Sequence, residues 1–300
     1  MSSEAIRDAL RGTFGGAWSL RPLNSSGFCE TWQASDQAGH RLFLKAAGAD
    51  RAAMLDAEAI GLRALAANAC IRTPEIAALA ELPSGGSLLA LEWIDLQPVD
   101  PDSGARFGEQ LATMHAQARD RFGWGEANFL GSTVQANGWT RSDDVICWIG
   151  FWRDQRLNAM RQRLMERAAS PILLSAVDAV CDALPDLFAD GHTPHPSLIH
   201  GDLWSGNWAM DAAGDPVIFD PAVSHSDAEA ELAMMELFGH PPSTFWSAYR
   251  AHYPLHPGYP RRRSLYQLYH LLNHALLFGD SYARMALDCA RSVLGARPAM

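Results

Sequence analysis

The stretch Leu198–Trp208, LIHGDLWSGNW, sets an aspartate and an asparagine five positions apart on one short loop between apolar flanks. A second aspartate, Asp220, follows eighteen residues after Asp202, at the end of the apolar run PVIFD. SLIH, the loop GDLWSGN, WAM, the turn Asp211-Ala-Ala-Gly214 and PVIFD together read as a hairpin presenting two acidic ends. Phosphoryl transfer from ATP asks for little more from a protein: an acceptor hydroxyl aimed at the γ-phosphorus, and cations across the phosphate oxygens. Asp202 suits the first task, as the base that takes the proton of the attacking hydroxyl. Asn207 and Asp220 supply hard oxygen ligands for Mg²⁺. Two polar residues capping a β-turn would explain HGD alone, but not Asn207 and Asp220 in register with it.

The same chemistry needs a strand lysine, held by a helix carboxylate, that points at the α- and β-phosphates. Lys45 ends the run RLFLK and is the only lysine in the chain. The helix expected after it, RAAMLDAEAIGLRALAANA with Asp50 as N-cap, carries an apolar stripe through Met54, Leu62 and Leu65. Glu58 falls on that stripe, four residues from Met54 and four from Leu62, and is the inward acid the lysine requires.

Around this pair, residues 18–46 alternate with period two as WSLRPL, FCETWQA and HRLFLKA, separated by Asn24-Ser-Ser-Gly27 and Asp36-Gln-Ala-Gly39. EIAALAEL and SLLALEWI add two strands. Ser25, Ser26 and Gly27 lie where a loop could fold over phosphates through backbone N–H groups. The backbone of Glu92, Trp93 and Ile94 would face an adenine edge, with Leu91 lining the pocket. After a Pro/Asp-rich link at 98–102 the chain turns helical, with helices expected over 103–118, 142–168, 171–189, 227–238, 243–252 and 262–295. The fold class is therefore α+β with two lobes: a small antiparallel β-rich lobe with one helix, 1–94, and a larger, mainly α-helical lobe, 95–300.

Composition agrees with an ordinary globular protein, at 48% hydrophobic and 19% charged residues in 300, and excludes disorder and low complexity. A net charge of −10 argues against a nucleic-acid partner, which needs a basic face. Cysteines at 29, 70, 147, 181 and 289 show neither disulfide-framework nor zinc spacing. MSSEAIRDAL reads as a short polar helix rather than a signal peptide, and LYQLYHLLNHALLF is too short and too polar to span a bilayer. A cytoplasmic location, no membrane and a monomer are the expectations.

At these residues the chain resembles the fructosamine kinase (ketosamine-3-kinase) family, a branch of the protein-kinase-like, aminoglycoside-phosphotransferase-like fold. The likeness covers nearly the whole chain: LIHGDLWSGNW, PVIFDPA, AELAMMELFG, FWSAYRAHYPL and RRRSLYQLYHLLNHALLFG, and in the middle Phe122-Gly-Trp124, Asn128-Phe-Leu-Gly131, Gln135-Ala-Asn137-Gly-Trp139 and FWRDQRL. The resemblance implies transfer of phosphate from ATP to the 3-hydroxyl of a small-molecule or protein-bound ketosamine. The product is unstable and frees the amine, which is deglycation. Three departures from the family pattern stand out. The loop reads Ser25-Ser-Gly-Phe-Cys29 before Glu30, where Gly-Gly-Cys-Ile-Asn is usual, so Cys29 is expected as a half-buried strand residue and the redox role of a loop thiol in some relatives is not carried over to it. Ser226 replaces a glycine. Glu231 replaces an aspartate and is expected to brace the catalytic loop from behind.

Trp204, Asn137, Trp139 and His274 are candidate substrate contacts, each with packing as the ordinary alternative. Two other readings stand beside the ketosamine kinase: a phosphotransferase of the same fold for an aminoglycoside or other small alcohol, and a catalytically silent nucleotide-binding relative.

Overall fold

A computed structural model describes residues 2–23, 27–83 and 85–295 of the chain. Ser25 and Ser26, expected at the phosphates, lie outside the described residues. The chain forms two lobes. In the smaller, α1 (Ser3–Phe14) precedes β1 (Trp18–Pro22), β2 (Glu30–Asp36) and β3 (Arg41–Ala47); α2 (Ala52–Asn68) follows, then β4 (Ile76–Glu81) and β5 (Ser87–Glu92). The strands make one antiparallel sheet in the order β1-β2-β3-β5-β4. Period-two alternation gives the sheet two apolar faces. Ile6 and Leu10 of α1 pack with Leu44 and Leu88, and Leu55, Ala59 and Leu62 of α2 pack with Leu89 and Leu91.

Two local expectations are corrected here. Asp50 does not cap α2, because the Arg51 N–H donates to the Gly48 carbonyl at 2.9 Å and this turn delays the helix by one residue. Phe28 and Cys29 stand in a loop rather than in β2, which starts at Glu30. The Arg51 guanidinium takes the carbonyls of Gly27 (2.9 Å) and Phe28 (3.2 Å), drawing that backbone out of the ladder.

The larger lobe runs α3 (Pro101–His115), β6 (Arg121–Phe122), β7 (Asn128–Leu130), β8 (Thr133–Gln135), β9 (Thr140–Arg141), α4 (Val145–Phe151), a π-helical segment (Trp152–Asn158), α5 (Ala159–Glu166), α6 (Pro171–Leu187), β10 (Ser197–Ile199), β11 (Trp208–Met210), β12 (Pro216–Ile218), β13 (Ser224–Ser226), α7 (Ala228–Met235), α8 (Ser243–His252), α9 (Tyr259–Phe278) and α10 (Asp280–Gly295). The long helix expected over 142–168 is thus three segments, and that over 262–295 breaks at Gly279, whose φ is 86°. Only β11 and β12 form the expected hairpin; β10 pairs instead with β13. The two-residue β6–β9 ladder and the three-residue β7–β8 hairpin were too short to leave a period-two signal.

Helix α9 buries Leu265, Tyr266, Tyr269 and Leu272 among Trp148, Phe151 and α6, as a core helix should. Among the described residues no helix is long and apolar enough to cross a membrane. A second core joins Phe107, Leu111 and Met114 of α3 to Phe245 of α8, and also takes in Leu203 and Trp208. Leu203 lies within the loop between β10 and β11, and Trp208 ends it. Their burial anchors the loop, and Asp202 and Asn207, each next to one of them, line a cavity.

Candidate active site

Strand β3 directs Lys45 inward, where it is 5% exposed. Its Nζ donates to both carboxylate oxygens of Glu58, at 2.8 and 2.9 Å, and to Asp220 Oδ1 at 2.6 Å. One lysine therefore joins the sheet, α2 and the end of the β12 strand. The approach of α2 is possible because Gly61, one turn beyond Glu58, would place even a Cβ at 3.0 Å from Pro221. Burial alone would lower the Lys45 pKa, but the Asp220 and Glu58 carboxylates outweigh it and the ammonium is held more firmly. Glu58 is pushed up to about 7 by burial, with Asp220 adding to the rise and Lys45 opposing it.

On the β10–β11 loop, the Asn207 side-chain amide donates to the Asp202 carbonyl at 2.8 Å and to Asp202 Oδ2 at 3.2 Å. Asn207 thereby fixes the angle of the Asp202 carboxylate and turns its own carbonyl oxygen away. Asp202 is raised well above the ordinary carboxylate value by burial first, then by the charges of Asp220 and Glu231, against the Asn207 hydrogen bond. His200, fully buried, ties the loop to β12. Its Nδ1 accepts from the Asp202 N–H at 3.2 Å, so Nε2–H is the donor to the Phe219 carbonyl at 2.8 Å. Burial lowers its pKa, in keeping with a neutral ring.

Behind the loop, Glu231 of α7 is 1% exposed and accepts from the N–H groups of His200 and Gly201 through its two oxygens, the latter at 3.0 Å. The extra methylene relative to aspartate is accommodated, and the bracing expected of this residue is present. Gly201 is forced: its φ is 84°, and a Cβ there would lie 2.1 Å from the Ala222 carbonyl oxygen. Left-handed backbone costs alanine roughly 1–2 kcal/mol before any clash. Gly201→Ala is therefore expected to destabilise by more than about 2 kcal/mol, read as a fall in melting temperature of roughly 4–8 °C.

Two cavities meet at Asp220, which lines both. The first, about 210 Å³, holds Lys45, Glu58, Asp202, Trp204 and Asn207. The second, about 480 Å³, lies under Phe43, Leu91, the 92–97 link, Val217 and Phe219, an apolar slot suited to a flat heterocycle. Glu92 spends its N–H on the Glu75 carbonyl (2.8 Å) and its carboxylate on Arg72, and Trp93 and Ile94 line the slot beside it. The expected metal ligands suit a hard cation. Asn207 offers an amide oxygen, and Asp220, 44% exposed at the junction, keeps one carboxylate oxygen on Lys45 and has another to offer.

Of the candidate substrate contacts, Trp204 lines the catalytic cavity. The others do not. Asn137 is 6% exposed and bonds Glu126 O, Asn128 Oδ1 and Arg156, inside a network that reaches the Val223 carbonyl through Asn128. His274 donates to the His270 carbonyl and packs among Phe238, Tyr282 and Phe278. Trp139 lies under Arg121 and beside His225. Missed altogether were Phe43, legible as the residue two before Lys45 on the same strand face, and the cavity wall of Phe28, Phe129 and Gly131.

The fructosamine kinase family model matches residues 10–295. A probable ketoamine kinase of Synechocystis is 40% identical over 85% of this chain and 83% of its own. The ketosamine-3-kinase of mouse is 30% identical over 90% of this chain and 94% of its own. A solved structure from Thermobifida fusca assigned to the fructosamine-3-kinases superposes with a TM-score of 0.86 at 30% identity, covering 98% of this chain and 100% of that one.

Proposed function

The chain belongs to the fructosamine kinase family, ATP-dependent kinases of ketosamines that serve deglycation, and from that premise we propose how this molecule carries out the transfer. ATP enters with its base in the slot bounded by Phe43, Leu91, Val217 and Phe219 and edged by the 92–94 backbone. Its phosphates run toward Lys45, which Glu58 holds in place. Asn207 and Asp220 are the residues that would hold Mg²⁺, which when bound supplies charge neutralisation across the phosphate oxygens. Asp202 accepts a hydrogen bond from the 3-hydroxyl of the ketosamine and takes its proton as the oxygen attacks. Trp204, 38% exposed beside Asp202, offers an aromatic face to the sugar. The lobes divide after Ile94, giving 1–94 to the nucleotide and 95–300 to base, metal ligands and acceptor. A monomer in the cytoplasm completes the reading.

One observation carries it: Lys45, Glu58, Asp202, Asn207 and Asp220, drawn from both lobes, line a single cavity. The same cavity favours a ketosamine over a polycationic aminoglycoside. Its acids are these catalytic ones, already bonded to Lys45 or Asn207, and the rest of the wall is aromatic or aliphatic. The test is an ADP-coupled assay on synthetic ribulose- and fructose-derived lysine adducts beside an aminoglycoside and choline. Turnover on at least one adduct, on the order of 1–100 per second, is expected only with Mg²⁺ present. Thermal stabilisation by Mg-ATP with no ADP release from any acceptor would replace the enzyme by a silent nucleotide binder.

A further inference from the structure

The catalytic cavity is small. At about 210 Å³ it falls below the roughly 300–1,000 Å³ usual for ligand pockets, so one side chain on its wall decides what fits. That wall has a member from the small lobe. Phe28 lines the cavity and lies across the cleft against the larger lobe, its ring 6.4 Å from that of Phe278 at the end of α9. Between them passes the β7–β8 turn at Gly131, whose φ is 59°; a Cβ there would meet Leu277 at 2.9 Å and Phe28 at 3.0 Å. The ring's position is set from behind by Arg51, which holds the carbonyls of Gly27 and Phe28.

From Phe278 the aromatic surface continues through His274 to Phe238, whose carbonyl accepts from Ser205 Oγ at 2.7 Å, next to Trp204. The Phe278, His274 and Phe238 rings lie behind the cavity wall without lining it, and Phe28 is the aromatic that joins them to it. Lys45, Asp202, Asn207, Asp220 and Pro221 line the same cavity, and Asp220 also lines the nucleotide slot. A ketose with its hydroxyl at Asp202 would meet the wall of Phe28, Gly131 and Phe129 with its amine substituent.

We propose that Phe28 is a specificity-determining residue: its ring, latched on Gly131 and Phe278, limits the bulk of the amine carried by the ketosamine. This rests on the ketosamine reading above.

The experiment compares kcat/KM for the ribulose adduct of methylamine with that of Nα-acetyl-lysine, by ADP release, in the wild type and in Phe28→Ala, Phe28→Leu and Gly131→Ala. Phe28→Ala is expected to shift the ratio toward the bulkier adduct by at least roughly tenfold, the low end of what one methylene is worth in a shaped pocket. Phe28→Leu should fall between, which keeps the proposal testable if the alanine variant folds poorly. Gly131→Ala, which displaces the ring, should move the ratio the same way, and combining it with Phe28→Ala should add little. An active wild type whose ratio stays within twofold in Phe28→Ala and Phe28→Leu overturns the latch and leaves the functional reading standing. A wild type that turns over neither adduct overturns that reading, and the latch with it.

Discussion

Asp202→Asn is expected to lower kcat for phosphate transfer by about 10²–10⁴-fold while the variant still binds Mg-ATP. The substitution keeps the shape of the side chain and its contact with Asn207, and removes only the capacity to take a proton. Asp202 is a stronger base than an ordinary carboxylate, because burial and the charges of Asp220 and Glu231 all oppose its ionised form. That strength has a consequence for pH. A base works only when deprotonated, so the acid limb of the wild-type kcat/KM profile should lie well above the ordinary carboxylate value and climb as pH rises. In the asparagine variant that limb should vanish. Near-wild-type turnover in Asp202→Asn, or an acid limb that survives it, would assign the base elsewhere.

The chemistry of the site was more legible in the sequence than its walls. Asp202 and Asn207 lead into one short hairpin and Asp220 leaves it, so local spacing carried their geometry. Lys45 and Glu58 could be paired from afar because each lies on a periodic element whose inward face is readable: period two for β3, a turn of helix for α2. Where side chains answer to partners distant in sequence, that signal fails. Asn137 looked like a substrate amide because nothing near it reveals Arg156, nineteen residues on, or the turn of chain that brings Asn128 beside it. The place of Phe28 depends on Arg51, twenty-three residues later, overriding the strand pattern of FCETWQA. The β10–β13 pairing crosses the whole catalytic hairpin and has no period to betray it. Aromatic residues fared similarly. Trp204 had the stronger claim in the sequence, two residues from Asp202, and packing separates it, on the cavity, from His274 inside the Phe238–Tyr282 cluster.

Lys45→Met should act on both catalysis and stability, and the two can be told apart by pH. For catalysis, loss of the cation at the phosphates is expected to cost about 10²–10³-fold in kcat/KM for ATP, the usual effect of removing one preorganised electrostatic contact. For stability, breaking a buried ion pair from one side costs about 3–5 kcal/mol when the stranded charge cannot adapt. Here it adapts in part. Asp220 is half-exposed and free to turn toward solvent, whereas Glu58 is buried and must either stay charged without its cation or take up a proton. Glu58 is already raised to about 7 with Lys45 present, and losing the lysine removes the one influence that lowers it. Its folded pKa then exceeds the unfolded one still further. The favourable contribution of the protonated form is complete below about pH 4.5 and disappears as pH rises through the folded value. The destabilisation of Lys45→Met relative to wild type should therefore be smallest near pH 5 and grow through pH 7–8, measured by urea unfolding at a series of pH values. Lys45→Met combined with Glu58→Gln should flatten that dependence and restore stability without restoring activity. A penalty independent of pH, or one that Glu58→Gln leaves untouched, would mean that Glu58 is not the group the lysine holds.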